Sequence, residues 1–169
     1  MHLVTKLALV VLIASTSNSL ANEIYVNQVG NLFDATILQD GENNQVRSLN
    51  TNSGYASIGG NNKTFSLSQI GNNNRAGFWT HGGNQVISVI QDGDSNVSAV
   101  DNHGNNNNIT LDIEGDSNVT HTEIGNGGDE FNDMNVIIRG DSNNAYVEVL
   151  NGDDNNIDVQ IQSQDNNII

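Results

Sequence analysis

The sequence predicts an all-β fold, a β-solenoid of stacked two-strand coils with about 22 residues per coil and Gly-x-x-Asn turns, open-ended and prone to polymerise. Three observations predict it. Glycines recur every eleven residues over most of the chain. The segments between them alternate apolar and polar with period two, the mark of half-buried strands. The composition suits a polar stack rather than an oil-like core: 31 asparagines, 17 glycines, no proline and no cysteine in 169 residues. Proline would remove ladder donors, so its absence permits unbroken pairing. Without cysteine there is no disulfide framework, thiolate metal site or thiol nucleophile.

Residues 1–21 read as an export signal. Lys6 precedes the apolar run Leu7–Ala14, and Ser19-Leu20-Ala21 offers the small residues a signal peptidase reads. The run is too short to span a bilayer. The mature chain is then expected to start at Asn22, as a single repeat domain over 22–169. Its first strand is Ile24-Tyr25-Val26-Asn27-Gln28.

The turn glycines are Gly30, Gly41, Gly60, Gly71, Gly82, Gly93, Gly104, Gly115, Gly140 and Gly152. Three residues after most of them stands an amide: Asn44, Asn74, Gln85, Asn96, Asn107, Asn118, Asn143 and Asn155. Glycine reaches positive φ freely and asparagine bonds nearby backbone, so these tetrapeptides have turn chemistry. Five, seven and nine residues after a turn glycine come Ala35-Ile37-Gln39, Phe65-Leu67-Gln69, Ile87-Val89-Gln91, Ile109-Leu111-Ile113 and Ile157-Val159-Ile161, the expected inward positions. Phe78 is expected in the core and Trp79 exposed. Two insertions interrupt the frame, one over 51–59 and one near 125–129. Asn132, Met134, Val136 and Ile138 then resume it.

A unit of eleven is one strand and one turn, and two units close a coil. Stacked at about 4.8 Å, six coils would rise roughly 29 Å. Equivalent residues then sit above one another. Gln69 and Gln91 should stack, as should Asn74, Asn96 and Asn118, giving a ladder of amides whose polar atoms satisfy each other. Regular phasing of the apolar positions argues against a disordered chain.

The repeat Gln-x-Gly-x-x-Asn-x-Ala-x-x-x-Gln resembles that of the curlins, the subunits of curli fibres. Gln28-Val29-Gly30 with Ala35 and Gln39, Gln39-Asp40-Gly41 with Asn44, Gln69-Ile70-Gly71 with Asn74 and Ala76, and Gln91-Asp92-Gly93 with Asn96 are four copies in register. The likeness covers residues 22–107; in 108–169 Ile113, Ile138 and Ile161 replace the glutamine and only the frame persists. The resemblance implies an exported subunit that assembles outside a Gram-negative cell into amyloid fibres for biofilm and adhesion. It implies as partners further copies of itself, other curlin-type or nucleating subunits, and the curli secretion machinery. It does not separate a major from a nucleating subunit. The glycine-rich targeting segment of the major curlin has no counterpart here.

The formal net charge of −15 argues against nucleic acid and anionic membrane surfaces as partners. The charge is one-sided along the chain. Residues 22–91 hold four acids and three bases, residues 92–169 sixteen acids and one base. The turn acids Asp92, Asp94, Asp116, Asp141, Asp153 and Asp154 are expected to lie about two strand spacings apart and to slow assembly as gatekeepers.

Other constellations are weaker. The Asp-Gly-Asp-Ser-Asn turns lack the nine-residue period of calcium solenoids. Arg139-Gly140-Asp141 arises from an arginine before a repeat glycine. Asn62, Asn96, Asn108 and Asn118 begin glycosylation sequons whose asparagine the repeat already dictates. His2, His81, His103 and His121 share no metal spacing and read as isolated surface residues. No nucleophile elbow or convergent triad is present, so catalysis and cofactors are not expected. The alternative to a fibre subunit is a monomeric solenoid module with a polysaccharide, calcium or ice face, the last resting on Thr120-His121-Thr122.

Overall fold

The computed structural model describes residues 7–14, 21–48, 54–125, 132–149, 156–162 and 167–168. Every regular element among them is a strand. They are β1 (Leu7–Ala14), β2 (Glu23–Ile24), β3 (Val26–Val29), β4 (Phe33–Asp40), β5 (Gln45–Ser48), β6 (Ala56–Gly59), β7 (Lys63–Ile70) and β8 (Arg75–Thr80). The second half adds β9 (Gln85–Asp92), β10 (Val97–Asn102), β11 (Asn108–Glu114), β12 (Val119–Ile124), β13 (Asp133–Arg139), β14 (Asn144–Val149), β15 (Asn156–Gln162) and β16 (Asn167–Ile168). All pairing is parallel, and the chain is a β-solenoid of about 5 turns with about 23 residues per turn.

One sheet runs β1-β4-β7-β9-β11-β13-β15. The other runs β16-β14-β12-β10-β8, where β8 pairs with both β5 and β6; β2 and β3 continue the sheet against these two. The alternating pattern of the sequence is the alternation of the pleat. Inward from the first sheet come Phe33, Ala35, Ile37, Phe65, Leu67, Ile87, Val89, Ile109, Leu111, Ile113, Met134, Val136 and Ile138, all buried. Val46, Ala56, Ile58, Ala76, Phe78, Val100, Ile124 and Ala145 meet them from the second. Phe65 packs edge-on against Phe78 across the core, with ring centroids 4.7 Å apart. Trp79, one residue on, is 40% exposed on the outer face.

The register shows how the insertions are absorbed. Gln39 pairs with Gln69, thirty residues on, because the chain leaves the second sheet after Ser48 and re-enters at Ala56. Ser48 and Ser57 lie opposite consecutive residues of β8, Phe78 and Trp79. Ala56–Gly59, which the sequence frame counted with the insertion, is therefore strand β6. Three extra residues at the second break leave Asn132 over Asn107, and Met134, Val136 and Ile138 over Ile109, Leu111 and Ile113, as the frame requires. Residues 126–131 lie outside the described region. So do the expected cleavage residues Ser19 and Leu20, together with His2, Gly152, Asp153, Asp154 and Asn155. In the full-length chain the apolar run of the expected signal is β1, in register beside β4 from Leu7 opposite Phe33 to Ala14 opposite Asp40.

The turns explain the glycines. Gly30, Gly60, Gly82 and Gly104 stack at one corner, and Gly41, Gly71, Gly93, Gly115 and Gly140 at the other. Gly71 and Gly93 have φ of 99° and 128°. A Cβ on Gly71 would collide with the carbonyl oxygen of Gly93, and one on Gly93 with that of Gly115, so both the conformation and the stack demand glycine. Two residues after the turn glycine the chain is left-handed: Asn43, Asn62, Asn73, Asn84, Ser95, Asn106, Ser117 and Ser142. Leu32 occupies that place in the first turn, with φ 57° and 51% exposure. A leucine there costs about 1–2 kcal/mol that asparagine largely avoids. At the same corner the Asn62 carboxamide donates to Asn84 Oδ1 at 2.9 Å, and Asn84 to Asn106 Oδ1 at 2.9 Å.

Leu32→Asn should therefore relieve strain and extend that surface row by one amide. Chemical denaturation should show a gain of about 1 kcal/mol; an unchanged or lower midpoint would contradict this description of the turn.

Candidate functional site

Three internal columns of polar side chains run along the solenoid. In the first, Gln39 Nε2 donates to Gln69 Oε1 at 2.7 Å and Gln69 Nε2 to Gln91 Oε1 at 2.8 Å. All three glutamines are fully buried. The column then turns apolar, since Gln91 pairs with Ile113, and Ile113, Ile138 and Ile161 follow in register. Gln28 is not part of it. It sits in the second sheet opposite Ile58 and donates to the carbonyl of Gly30.

The second column holds the corner asparagines, and their bonds differ from simple side-chain stacking. Asn44 Nδ2 donates to the carbonyl of Gly71 at 2.8 Å, and its Oδ1 accepts the N–H of Asn74 at 3.0 Å. One carboxamide thus closes both ends of the next coil's turn. Asn74 does the same to Gly93 and Asn96, Asn96 to Gly115 and Asn118, and Asn118 to Gly140 and Asn143. Asn22 begins the series on Gly41 and Asn44. Aspartate offers no donor and serine is too short for both contacts, which is why this corner is so uniformly asparagine.

The third column occupies the opposite corner and contains Lys63, Gln85, Asn107 and Asn132. Asn107 belongs here, not with the other corner asparagines. Lys63 Nζ donates to Thr80 Oγ1 at 2.9 Å and to Gln85 Oε1 at 2.5 Å. It has no carboxylate among these bonds, and burial lowers its pKa from 10.5 to about 7. The folded state binds this proton less readily than the unfolded chain, so stability should rise as pH climbs from about 7 toward 10.5.

A fourth column lies on the surface of the turns. Asn72 Oδ1 accepts the N–H of Glu42, Asp94 Oδ1 that of Asn72, Asp116 Oδ1 that of Asp94, and Asp141 Oδ1 that of Asp116. The acids are thus neighbours one strand spacing apart, about 4.8 Å, closer than the two spacings expected. Each caps a backbone amide of the preceding coil. Asp92 is displaced from them, at a strand end beside Ile70 and Glu114. Among the described residues no group of three or more acids and histidines is placed to hold a metal ion. Arg139 is paired with Asp112 at 2.5 Å and with Glu114 at 2.8 Å, so the Arg-Gly-Asp tripeptide is part of the stack. Thr120 and Thr122 face inward and donate to the carbonyls of Val97 and Ala99, which removes them from any surface array.

The outer face of the second sheet was not legible as a unit. His81 and His103 are not isolated: their rings lie 5.1 Å apart, and Trp79 lies 6.1 and 5.0 Å from them. His103 Nε2 is 3.1 Å from Asp101 Oδ1. Burial lowers the His81 pKa, helped by His103 and Lys63 against Asp101. Burial also raises that of Asp101, against the pull of His103, His121 and His81. Two coils further on, His121 stacks on Tyr146 at 5.0 Å and 11°. At the other end Tyr25 meets Tyr55 edge-on, with the Arg47 guanidinium 5.5 Å from the Tyr25 ring. The signal was present in the 22-residue spacings Trp79–Asp101–Glu123 and His81–His103. No family model, curated protein or solved structure matches the chain.

Lys63→Gln should restore an amide to its column. The rise in stability of the parent chain between pH 7 and 9.5, on the order of 2–4 kcal/mol, should flatten in the variant. Parallel slopes in thermal melts of the two proteins would contradict the assignment to Lys63.

Proposed function

We propose that the chain is an exported structural subunit that self-assembles into extracellular curli-like amyloid fibres, serving biofilm matrix and adhesion rather than catalysis. The observation that carries this reading is the coil-to-coil bonding. The asparagine clamps and the parallel strand ladder need only a like coil as partner, and another copy of the chain supplies one. Parallel in-register strands with stacked side-chain amides are the bonding scheme of cross-β fibres. Among the described strands β15 is paired on one side only, which leaves a row of backbone donors and acceptors for a further strand. Gln39 Oε1 is a buried acceptor with no partner among the described residues, and its neighbour in β1 is Ile13, which has no side-chain donor to offer. The partners under this reading are further copies of the chain, related subunits and an export apparatus, at the surface of a Gram-negative cell.

The column of Asp94, Asp116 and Asp141 opposes addition of further like-charged coils, because these carboxylates lie well within a Debye length of about 8–10 Å. The chain lacking residues 1–21, incubated at neutral pH, should give fibres by electron microscopy and bind thioflavin. Lowering the pH from 7 toward the pI of 4.1, or adding salt, should shorten the lag several-fold. A protein that stays dispersed and thioflavin-negative for days at either pH would overturn the proposal.

A further inference from the structure

The outer faces of the two sheets differ in kind. All three tyrosines, the single tryptophan and three of the four histidines belong to the second sheet's outer face or to the loop entering β6 beside it. The outward positions of the first sheet hold Asp, Thr, Ser, Asn, Gln, a few aliphatic residues and the Glu114–Arg139 pair, with no aromatic ring among the described residues. Solubility and stacking are served equally well by the first kind of face, so neither explains the second. Exposed aromatic rings gathered on one side of a soluble stack mark a binding surface.

The shape of this face is specific. Gly77, which is buried, and Ala99 occupy adjacent coils in the central outward column, between Arg75 and Val97 on one side and Trp79 and Asp101 on the other, with Arg47 next in the column. Beyond the Trp79 wall lies a pocket of about 180 Å³ lined by Trp79, Asp101, His103, Glu123, Ile124 and Gly125. A second, of about 250 Å³, lies at Tyr25, Arg47, Gly54 and Tyr55. Along the axis, Trp79 and His121, the nearer ring of the His121–Tyr146 stack, are two coils apart, about 10 Å at the strand spacing. That is close to the length of a disaccharide in an extended glycan.

We propose that this face binds a neutral polysaccharide lying along the solenoid axis, with Trp79 as the central stacking platform and Asp101, His103 and Glu123 as partners for sugar hydroxyls. A sugar ring presents C–H groups to an aromatic face and hydroxyls at its edge. The pocket supplies both kinds of contact side by side, an apolar ring and carboxylate acceptors with an imidazole. The charge selects among polymers. The Trp79 pocket has two carboxylates and no lysine or arginine, so nucleic acid and sulfated or uronic glycans are repelled from it, while Arg47 and Arg75 lie on the other side of Gly77. A second copy of the same face is disfavoured for the same reason, since Asp101, Glu123 and Glu148 would meet their counterparts. This binding does not depend on polymerisation, and it is read on the unassembled chain.

The test is native electrophoresis of freshly desalted, unassembled protein through gels containing hydroxyethyl cellulose, dextran or galactomannan, with heparin as the polyanion. Because Trp79 is the only tryptophan, its emission follows the same titrations. At least one neutral polymer should retard the protein and shift the emission, while heparin does not. Trp79→Ala should weaken retention by at least about tenfold, with an unchanged far-ultraviolet spectrum, and Trp79→Phe should recover part of it. Ile90→Ser, on the opposite face, should bind as the parent does. The proposal is overturned if none of the three neutral polymers retards the protein, if Trp79→Ala is retained like the parent, or if Ile90→Ser loses as much. It is equally overturned if Trp79→Ala only abolishes a concentration-dependent self-association seen without glycan, which would make the face a lateral contact between copies.

Discussion

A carboxamide buried between two sheets must place both a donor and an acceptor, and in this stack of coils many of those partners belong to the coils above and below. Most of the architecture follows from this constraint. Asn44, Asn74, Asn96 and Asn118 each span the whole turn of the next coil, from glycine carbonyl to asparagine N–H. The span is fixed by the length of one side chain, so the turn cannot lengthen or shift without losing a buried bond. That locks the register of both flanking strands. A one-residue slip would also turn every inward side chain outward, so the amide corners and the apolar core enforce the same alignment.

The glycine columns are the steric counterpart of the asparagine clamp. The carboxamide reaches the neighbouring glycine carbonyl only if the turns approach closely, and that approach leaves no space for a Cβ at Gly71 or Gly93. The first insertion is accommodated where this closeness is not needed. The loop after Ser48 leaves from the middle of a strand row and returns to it at Ala56, so the corners on either side keep their geometry. Lys63 is the local exception: a cation in an amide column, held by neutral acceptors and driven toward its uncharged form by burial.

Much of the fold was legible because two units of eleven make one coil, so residues 22 apart are stacked; Gln69 under Gln91 and Asn74 under Asn96 follow from counting. The count fails where the chain adds residues without adding height. Gln39 under Gln69 and Asn107 under Asn132 are separated by 30 and 25 residues, and only the hydrogen-bonded register reveals them. Gln28 carries the repeat's glutamine but pairs with Ile58, because its strand lies in the other sheet. The form of the asparagine bonds was also hidden: spacing shows that amides stack, not that each reaches past its counterpart to a glycine carbonyl. The aromatic face was missed because Trp79, His103, His121 and Tyr146 come from four different coils and share no local motif. What the fold makes possible, addition of further coils and binding along one face, depends on the same coil-to-coil repetition.

The central claim is that buried amides hold coil to coil by bonding to each other, not merely by filling space. A double-mutant cycle on Gln69→Leu and Gln91→Leu, measured by equilibrium unfolding of the full chain, tests it most directly. Each single change leaves part of its neighbour's carboxamide unpaired in the core and should cost about 1–3 kcal/mol. The double change should cost clearly less than the sum, because it removes both sides of the bond and extends downward the apolar column that Ile113 and Ile138 already form. Strict additivity would contradict the account, since it would mean that the two glutamines stabilise the stack independently.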